Sequence, residues 1–365
     1  MPAITPMPEA MAVTTGDGCQ LELRRHAGTK GRRPVLLVHG ASAASATFRI
    51  GERQTLVDCL LENGFEAWTL DWRAGMRCAP NIYCRNRSTE FTLDAAARYD
   101  VPTAIARMRA LGVTDEIAIV GHCMGGGIVA QGIAQGYITA AQVGSVVLSG
   151  LGLFYKGAID NILKAEDRVL EEVFAKGQAL IHPTTRWDPK LCAQDPGEGP
   201  WDPLLEVPYS AWLETPLHDK CESRFCHRLS YLYGMPYLPD KIPTIHPDHL
   251  ESQFGYIPVQ FYLHCSQNLR RGYAAPFGST KRPAPAYLNR AAFRDLKVTL
   301  ITGDLNSLWH RDSIDTMYEW LRRGRASEQP RRLDKHVLRD YGHQDLLWGT
   351  DAPEDVFPRI LAGLS

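Results

Sequence analysis

The residues best suited to covalent chemistry are Gly121-His122-Cys123-Met124-Gly125, inside the stretch IAIVGHCMGGG that covers residues 117–127. Ile117, Ile119 and Val120 read as a buried strand, and a helix is expected through residues 128–135. Strand, sharp glycine turn and helix around a central nucleophile is the pattern G-x-S-x-G, here with cysteine where serine usually stands. Its spacing has a steric reason. The nucleophile occupies a strained backbone conformation, and the residues two before and two after must be small for strand and helix to approach. Gly121 and Gly125 meet that need, and Gly126 and Gly127 add room. The plainer reading is a glycine-rich joint with a buried thiol. What decides between the two is whether a base, an orienting group and anion-stabilising donors fall in suitable places.

A thiol with an ordinary pKa of about 8.5 is mostly protonated at neutral pH, so it needs a paired imidazole. His343 in DYGHQD lies just past the last expected strand, in a glycine-containing loop, and is the candidate base. A lone loop histidine is more often a surface residue; the chain order of nucleophile, acid or amide, then histidine favours catalysis here. The orienting member falls in ITGDLNSLW. Counting three past Gly303 lands on Asn306, and Asp304 is a close rival. An amide can serve when the nucleophile is cysteine; either residue can equally be a turn cap. Asp345 is expected to order the histidine loop and Asp340 to sit in a surface turn. The oxyanion hole requires two converging backbone N–H groups. Met124, at the start of the elbow helix, and Ala41, after His39-Gly40, are the expected donors, with Ser42 as an alternative to Ala41.

The elements that position these residues follow from hydrophobic periodicity. Residues 11–26 suggest two short strands about Gly16-Asp17-Gly18. Val35–Val38 is a continuous apolar run, as in a central parallel strand covered on both faces. A helix over residues 55–63, a strand over 65–70, an irregular loop over 74–91, a helix from Thr92 to about Leu111 and a strand at 143–149 follow. The alternation stops near residue 151 and resumes with a strand at 297–303, a helix at 313–324, a strand near 335–338 and a last helix at 352–364. This predicts an α/β fold with a mostly parallel, doubly wound sheet. Right-handed crossovers bring the C-terminal strand ends, and so the candidate residues, to one edge. The core is expected over residues 1–150 and 296–365. Residues 151–295, with a helix over 160–177 and many aromatics including Trp187, Trp201, Trp212, Tyr231, Tyr233 and Tyr237, read as an inserted lid.

The bulk properties narrow the partners. With 40 basic and 41 acidic residues in 365, nothing favours nucleic acid. There is no apolar run long enough to span a membrane and no secretory signal pattern, so reduced thiols and a cytoplasmic location are expected. Cys221, Cys226, His227 and His218 fit no standard zinc spacing, so no metal is assigned. Cys78 and Cys84 are close in sequence but are not expected to be bridged. Arg73 suits an anion site or a structural ion pair, and His122 a structural role beside the nucleophile.

PVLLVHG, GHCMGG, ITGDLN and YGHQD together resemble the α/β-hydrolase superfamily, over the chain apart from its first residues and the lid. The cysteine elbow and LDWRAG are similar to polyhydroxyalkanoate synthases, and GHQDLLWGTDAPEDVF is similar to the acid lipases. H-C-x-G, G-x-x-N, YGH-x-D and CESRFCHRLSYLYG resemble the hydrolase-like domain fused to some cholesterol-oxidase-like glucose–methanol–choline oxidoreductases. That resemblance implies an oxidoreductase partner. No G-x-G-x-x-G follows the first strand, so no flavin or other cofactor is assigned. The expectation is an esterase, thioesterase or acyltransferase that forms a Cys123 thioester with a small apolar acyl substrate. The alternative is a catalytically silent hydrolase-fold partner protein; within enzymes, a polyester- or ester-synthase-like acyltransferase is the second option.

Overall fold

Successive residues of the central strands are apolar on both faces, and that is what places them inside a covered sheet. In β3 (Arg33–Val38), Leu36 and Val38 face one core while Val35 and Leu37 face the other. The computed structural model describes residues 9–26, 33–51, 53–85, 89–167, 180–181, 209–210, 212–214, 224–242, 253–282, 285–323 and 333–365. Its main sheet has eight strands: β1 (Glu9–Thr14), β2 (Gln20–Arg25), β3, β4 (Phe65–Asp71), β5 (Ile117–His122), β6 (Val143–Ser149), β7 (Lys297–Gly303) and β8 (Leu333–Leu338). Their spatial order is β1-β2-β4-β3-β5-β6-β7-β8. From β4 to β8 every neighbouring pair is parallel; β1 and β2 form an antiparallel edge.

Helices Val101–Ala110, Met124–Ala134 and Asp312–Arg322 contribute to one core. Helices Leu56–Glu62 and Phe357–Leu364 contribute to the other. The Met124–Ala134 helix is buried along its whole length, which its glycine, alanine and aliphatic composition permits. Between β6 and β7 no described residue adds a strand to the main sheet. That segment contains helices Ile159–Asp167, Arg224–Tyr233 and Val259–Arg271, and a short ladder of Leu180–Ile181 with Ile257–Pro258.

Three expectations need correction. Residues 74–91 are not all irregular: Cys78–Arg85 is helical. Pro80 lies in the first turn, where its missing N–H costs no helical hydrogen bond, and Ala79 and Ile82 are buried together. The last helix is broken into Ala352–Asp355 and Phe357–Leu364, because Pro358 cannot continue the hydrogen-bond ladder. The expected 160–177 helix is seen as Ile159–Asp167; its remainder lies outside the described residues, as do Trp187, Trp201, His218 and Cys221. Cys78 donates to the Asp71 carbonyl at 3.2 Å, and Cys226 pairs with the Tyr237 hydroxyl at 2.8 Å.

Arg73 is a structural ion-pair residue. Its guanidinium is fully buried and bonds Asp100 through Nε and Nη2, Asp17 through both terminal nitrogens, and the Glu90 carbonyl. Every donor is satisfied, leaving none for a ligand. Arg73→Ala strands the buried Asp100 carboxylate and is expected to cost about 3–5 kcal/mol of unfolding stability, read as a lowered urea midpoint.

Candidate active site

Cys123 sits at φ 56° and ψ −130°, a conformation that a non-glycine residue adopts only under local compulsion. Its N–H donates to the Ser149 carbonyl at 2.8 Å, and its own carbonyl accepts from Gly126 at 2.9 Å. A Cβ on Gly121 would lie 2.7 Å from the Gly126 Cα, and one on Gly125 would lie 2.1 Å from the Val38 carbonyl oxygen. A Cβ on Gly40 would lie 2.9 Å from the Cys123 Cβ and 3.3 Å from its Sγ. The glycines at 40, 121 and 125 are therefore what let the β3 loop, the elbow and its helix close around one thiol.

Cys123 opens into a pocket with about 850 Å³ of empty space, shared with Ala41, Ser42, Met124, Trp309 and His343. Its apolar walls include Leu229, Leu232, Phe254, Ile257 and Phe261. Burial pushes the thiol pKa up to about 11, against the pull of the Trp309 indole and the Met124 and Ala41 amides. The two amides named from the sequence thus both bear on the sulfur. The Trp309 Nε1 is buried with no hydrogen-bond partner among the described residues.

His343 lines the same pocket and is completely buried. Burial, with a smaller contribution from His122, holds its pKa well below the usual imidazole value. The two rings lie tilted at 38° to each other with centroids 4.7 Å apart. Gly150, at φ 79°, makes room for this: a Cβ there would lie 2.9 Å from the His343 Cε1. His122 is anchored by a 3.0 Å contact between its Nδ1 and the Ser149 hydroxyl. Asp345 does order the histidine loop, accepting from Gly342 at 2.6 Å and from Leu238 at 2.9 Å. Its burial raises the carboxyl to about 6.

The expected orienting bond is not made. Neither nitrogen of His343 has a partner among the described residues. Asn306 is buried nearby, but its Oδ1 accepts the Leu308 and Trp309 amides at 3.1 and 3.2 Å. That leaves only the donor nitrogen of the amide for other contacts. A donor into Nδ1 would fix the proton on Nε2, the tautomer that cannot accept a proton there. Asn306 shapes the loop that carries Trp309. Asp304 accepts the Asp340 amide at 2.7 Å, and so holds the approach to the histidine loop without touching the ring.

Sequence reading missed Trp309. Its signal was local: Asn306 followed by Ser-Leu-Trp is an Asx turn in the making, which aims the residue three further on. It also passed over Tyr233 as a pocket residue, because that placement depends on how the 151–295 segment packs.

A family model, the alpha/beta hydrolase family, matches residues 35–359. The chain belongs to this family. Its similar relatives include Lipase lipl-3 of Caenorhabditis elegans, 24% identical over 383 residues that cover 96% of this chain and 87% of that protein. Human gastric triacylglycerol lipase is 30% identical over 128 residues, 32% of each chain. Among solved structures, a thermostable carboxyl esterase from Bacillus coagulans superposes with a TM-score of 0.59 at 14% identity, covering 99% of this chain and 100% of that one. The last comparison shows the hydrolase fold.

Two outcomes follow from the electrostatics of this hydrolase. Burial, with Arg49 and Arg24 adding to it, lowers His26 to about 4; burial lowers His122 to about 3. Unfolded imidazoles take up protons near pH 6.5, so the unfolded state gains protons first as pH falls. The stability is fully present above about pH 6.5 and is lost below it, by about 1.4 kcal/mol per pH unit per histidine, until about pH 4 for His26 and pH 3 for His122. Urea midpoints at pH 7 and pH 5 should differ accordingly. Second, Trp309→Phe keeps the ring and removes the N–H; alkylation of Cys123 at pH 9, followed by peptide mapping, is expected to slow roughly three- to tenfold.

Proposed function

We propose that this hydrolase-fold protein is an acyl-transfer enzyme, an esterase, thioesterase or acyltransferase, that works through a thioester on Cys123. The observation that carries the reading is convergence on one strained thiol: the Ala41 and Met124 amides bear on it and His343 lines its pocket. In the reaction, Sγ attacks the substrate carbonyl carbon and His343 takes the thiol proton. The two amides hold the oxyanion, where a water-poor site strengthens them. The leaving group departs with the proton from His343. A hydroxyl then attacks the thioester and frees the thiol.

The apolar walls support an ester or thioester with an apolar acyl part. Lipases and esterases among the relatives agree with an ester substrate. We read residues 151–295 as a cap, since they supply most of those walls. A cytoplasmic setting is part of this reading and rests on the sequence alone. No described helix is long and apolar enough to cross a membrane. The oxidoreductase partner rests on sequence resemblance alone.

One observation favours a second reading, a catalytically silent binding protein. The thiol is raised and His343 is unpartnered, so the resting site holds no thiolate–imidazolium pair. Steady-state kinetics on short- and long-chain thioesters and activated esters separates the two. The enzyme reading expects turnover that Cys123→Ala reduces at least about a thousandfold. Turnover that survives Cys123→Ala overturns the Cys123 mechanism, and no turnover across the panel favours the silent protein.

A further inference from the structure

Beside Cys123 the pocket carries two hydroxyls that forming the acyl-enzyme does not use. Ser42 follows Ala41 and sits at φ 54°, a strained conformation for a non-glycine residue. It is held there on both sides: its N–H donates to the Ala74 carbonyl at 3.0 Å, and its carbonyl accepts from Gly255 at 2.8 Å. The result is a side chain only 1% exposed whose Oγ has no partner among the described residues. Tyr233 ends the Arg224–Tyr233 helix. Its carbonyl accepts from Asn161 at 2.7 Å, and its ring packs on Tyr262 with centroids 6.4 Å apart. Its hydroxyl is also buried and has no partner among the described residues.

Both residues line the pocket that contains Cys123 and His343. Burial pushes the Tyr233 hydroxyl up, the Ser42 hydroxyl draws it back, and Cys123 adds to the rise. Both hydroxyls line the cavity that Cys123 opens into, and neither closes a hydrogen bond among the described residues. A buried hydroxyl left unsatisfied carries its full desolvation cost. One small hydroxyl seated between them would satisfy both, since each can donate and accept.

We propose that Ser42 Oγ and Tyr233 Oη form a subsite for the hydroxyl that resolves the Cys123 thioester, a water or an alcohol. The proposal rests on the acyl-enzyme reading above. The bound oxygen forms the new C–O bond at the thioester carbonyl, and its proton passes to His343. The C–S bond breaks, and Sγ takes the proton back from His343. Water yields an acid and an alcohol yields an ester; no oxidant or reductant enters.

The test is a burst experiment with p-nitrophenyl butyrate, in water alone and with increasing 1-propanol, on the wild type, Tyr233→Phe and Ser42→Ala. The expected result is a retained burst with deacylation slowed at least tenfold in both variants. A slowed hydrolysis with propanolysis untouched assigns the subsite to water; lost propanolysis assigns it to an alcohol. Deacylation within twofold of wild type in both variants overturns the subsite alone, as does a parallel fall in burst rate and deacylation. Turnover in the wild type with no acyl mass trapped on Cys123 at any quench time overturns the acyl-enzyme reading and the subsite with it.

Discussion

The elbow helix meets β3 at a separation that only glycine tolerates. A methyl group on Gly125 would sit 2.1 Å from the Val38 carbonyl oxygen and 2.6 Å from that of His39. Because the helix starts so close to the sheet, the residue between strand and helix must turn sharply, and Cys123 takes the positive φ that results. The same closeness brings the loop after His39 against the thiol, so that Ala41 and Met124 can both present amides to it. Gly40 and Gly150 extend the principle: each leaves the space that Cys123 or His343 then fills. Geometry at the site is thus set by backbone contact, and side-chain chemistry is added to it.

Burial then sets the electrostatics. It drives the thiol up, both adjoining histidines down and the Asp345 carboxyl to about 6. The thiol and the two imidazoles are thereby held neutral at neutral pH, because a desolvated charge without a partner is expensive; the Asp345 carboxylate is held by the Gly342 and Leu238 amides. Arg73, by contrast, stays charged while buried, with Asp100 and Asp17 around it. A neutral thiol beside a neutral imidazole has no ion pair at rest. Charge arises when a carbonyl enters and the amides have an anion to hold, which is where fixed donors in a dry site are most effective.

The parts of this arrangement carried by local pattern were readable from the chain. Apolar runs gave β3, β5, β6 and β7, and the glycine spacing marked the elbow. Cys123, Met124, Ala41 and His343 all fall at the C-terminal edge of the sheet, as the alternation of strands and helices implies. What was not readable depends on long-range packing. Asn306 occupies the counted position, yet its carbonyl oxygen is claimed by two amides of its own turn. The turn at Asn306 marks where Trp309 falls but not what it faces, and Ser42 has ordinary local sequence; both roles emerge when Tyr233, Tyr262 and Phe261 close the pocket from the 151–295 segment. No periodicity encodes which aromatics of such a segment face inward. The helix Cys78–Arg85 was hidden by a proline that sits harmlessly in its first turn.

The central claim is that Cys123 becomes acylated. Acid quench within milliseconds of mixing with a long-chain acyl thioester, followed by intact-mass analysis and peptide mapping, addresses it directly. The account predicts one added acyl mass on the peptide carrying Cys123, released by neutral hydroxylamine and absent from Cys123→Ala. An acyl group found on another residue, or turnover with no trapped acyl mass at any quench time, would contradict it.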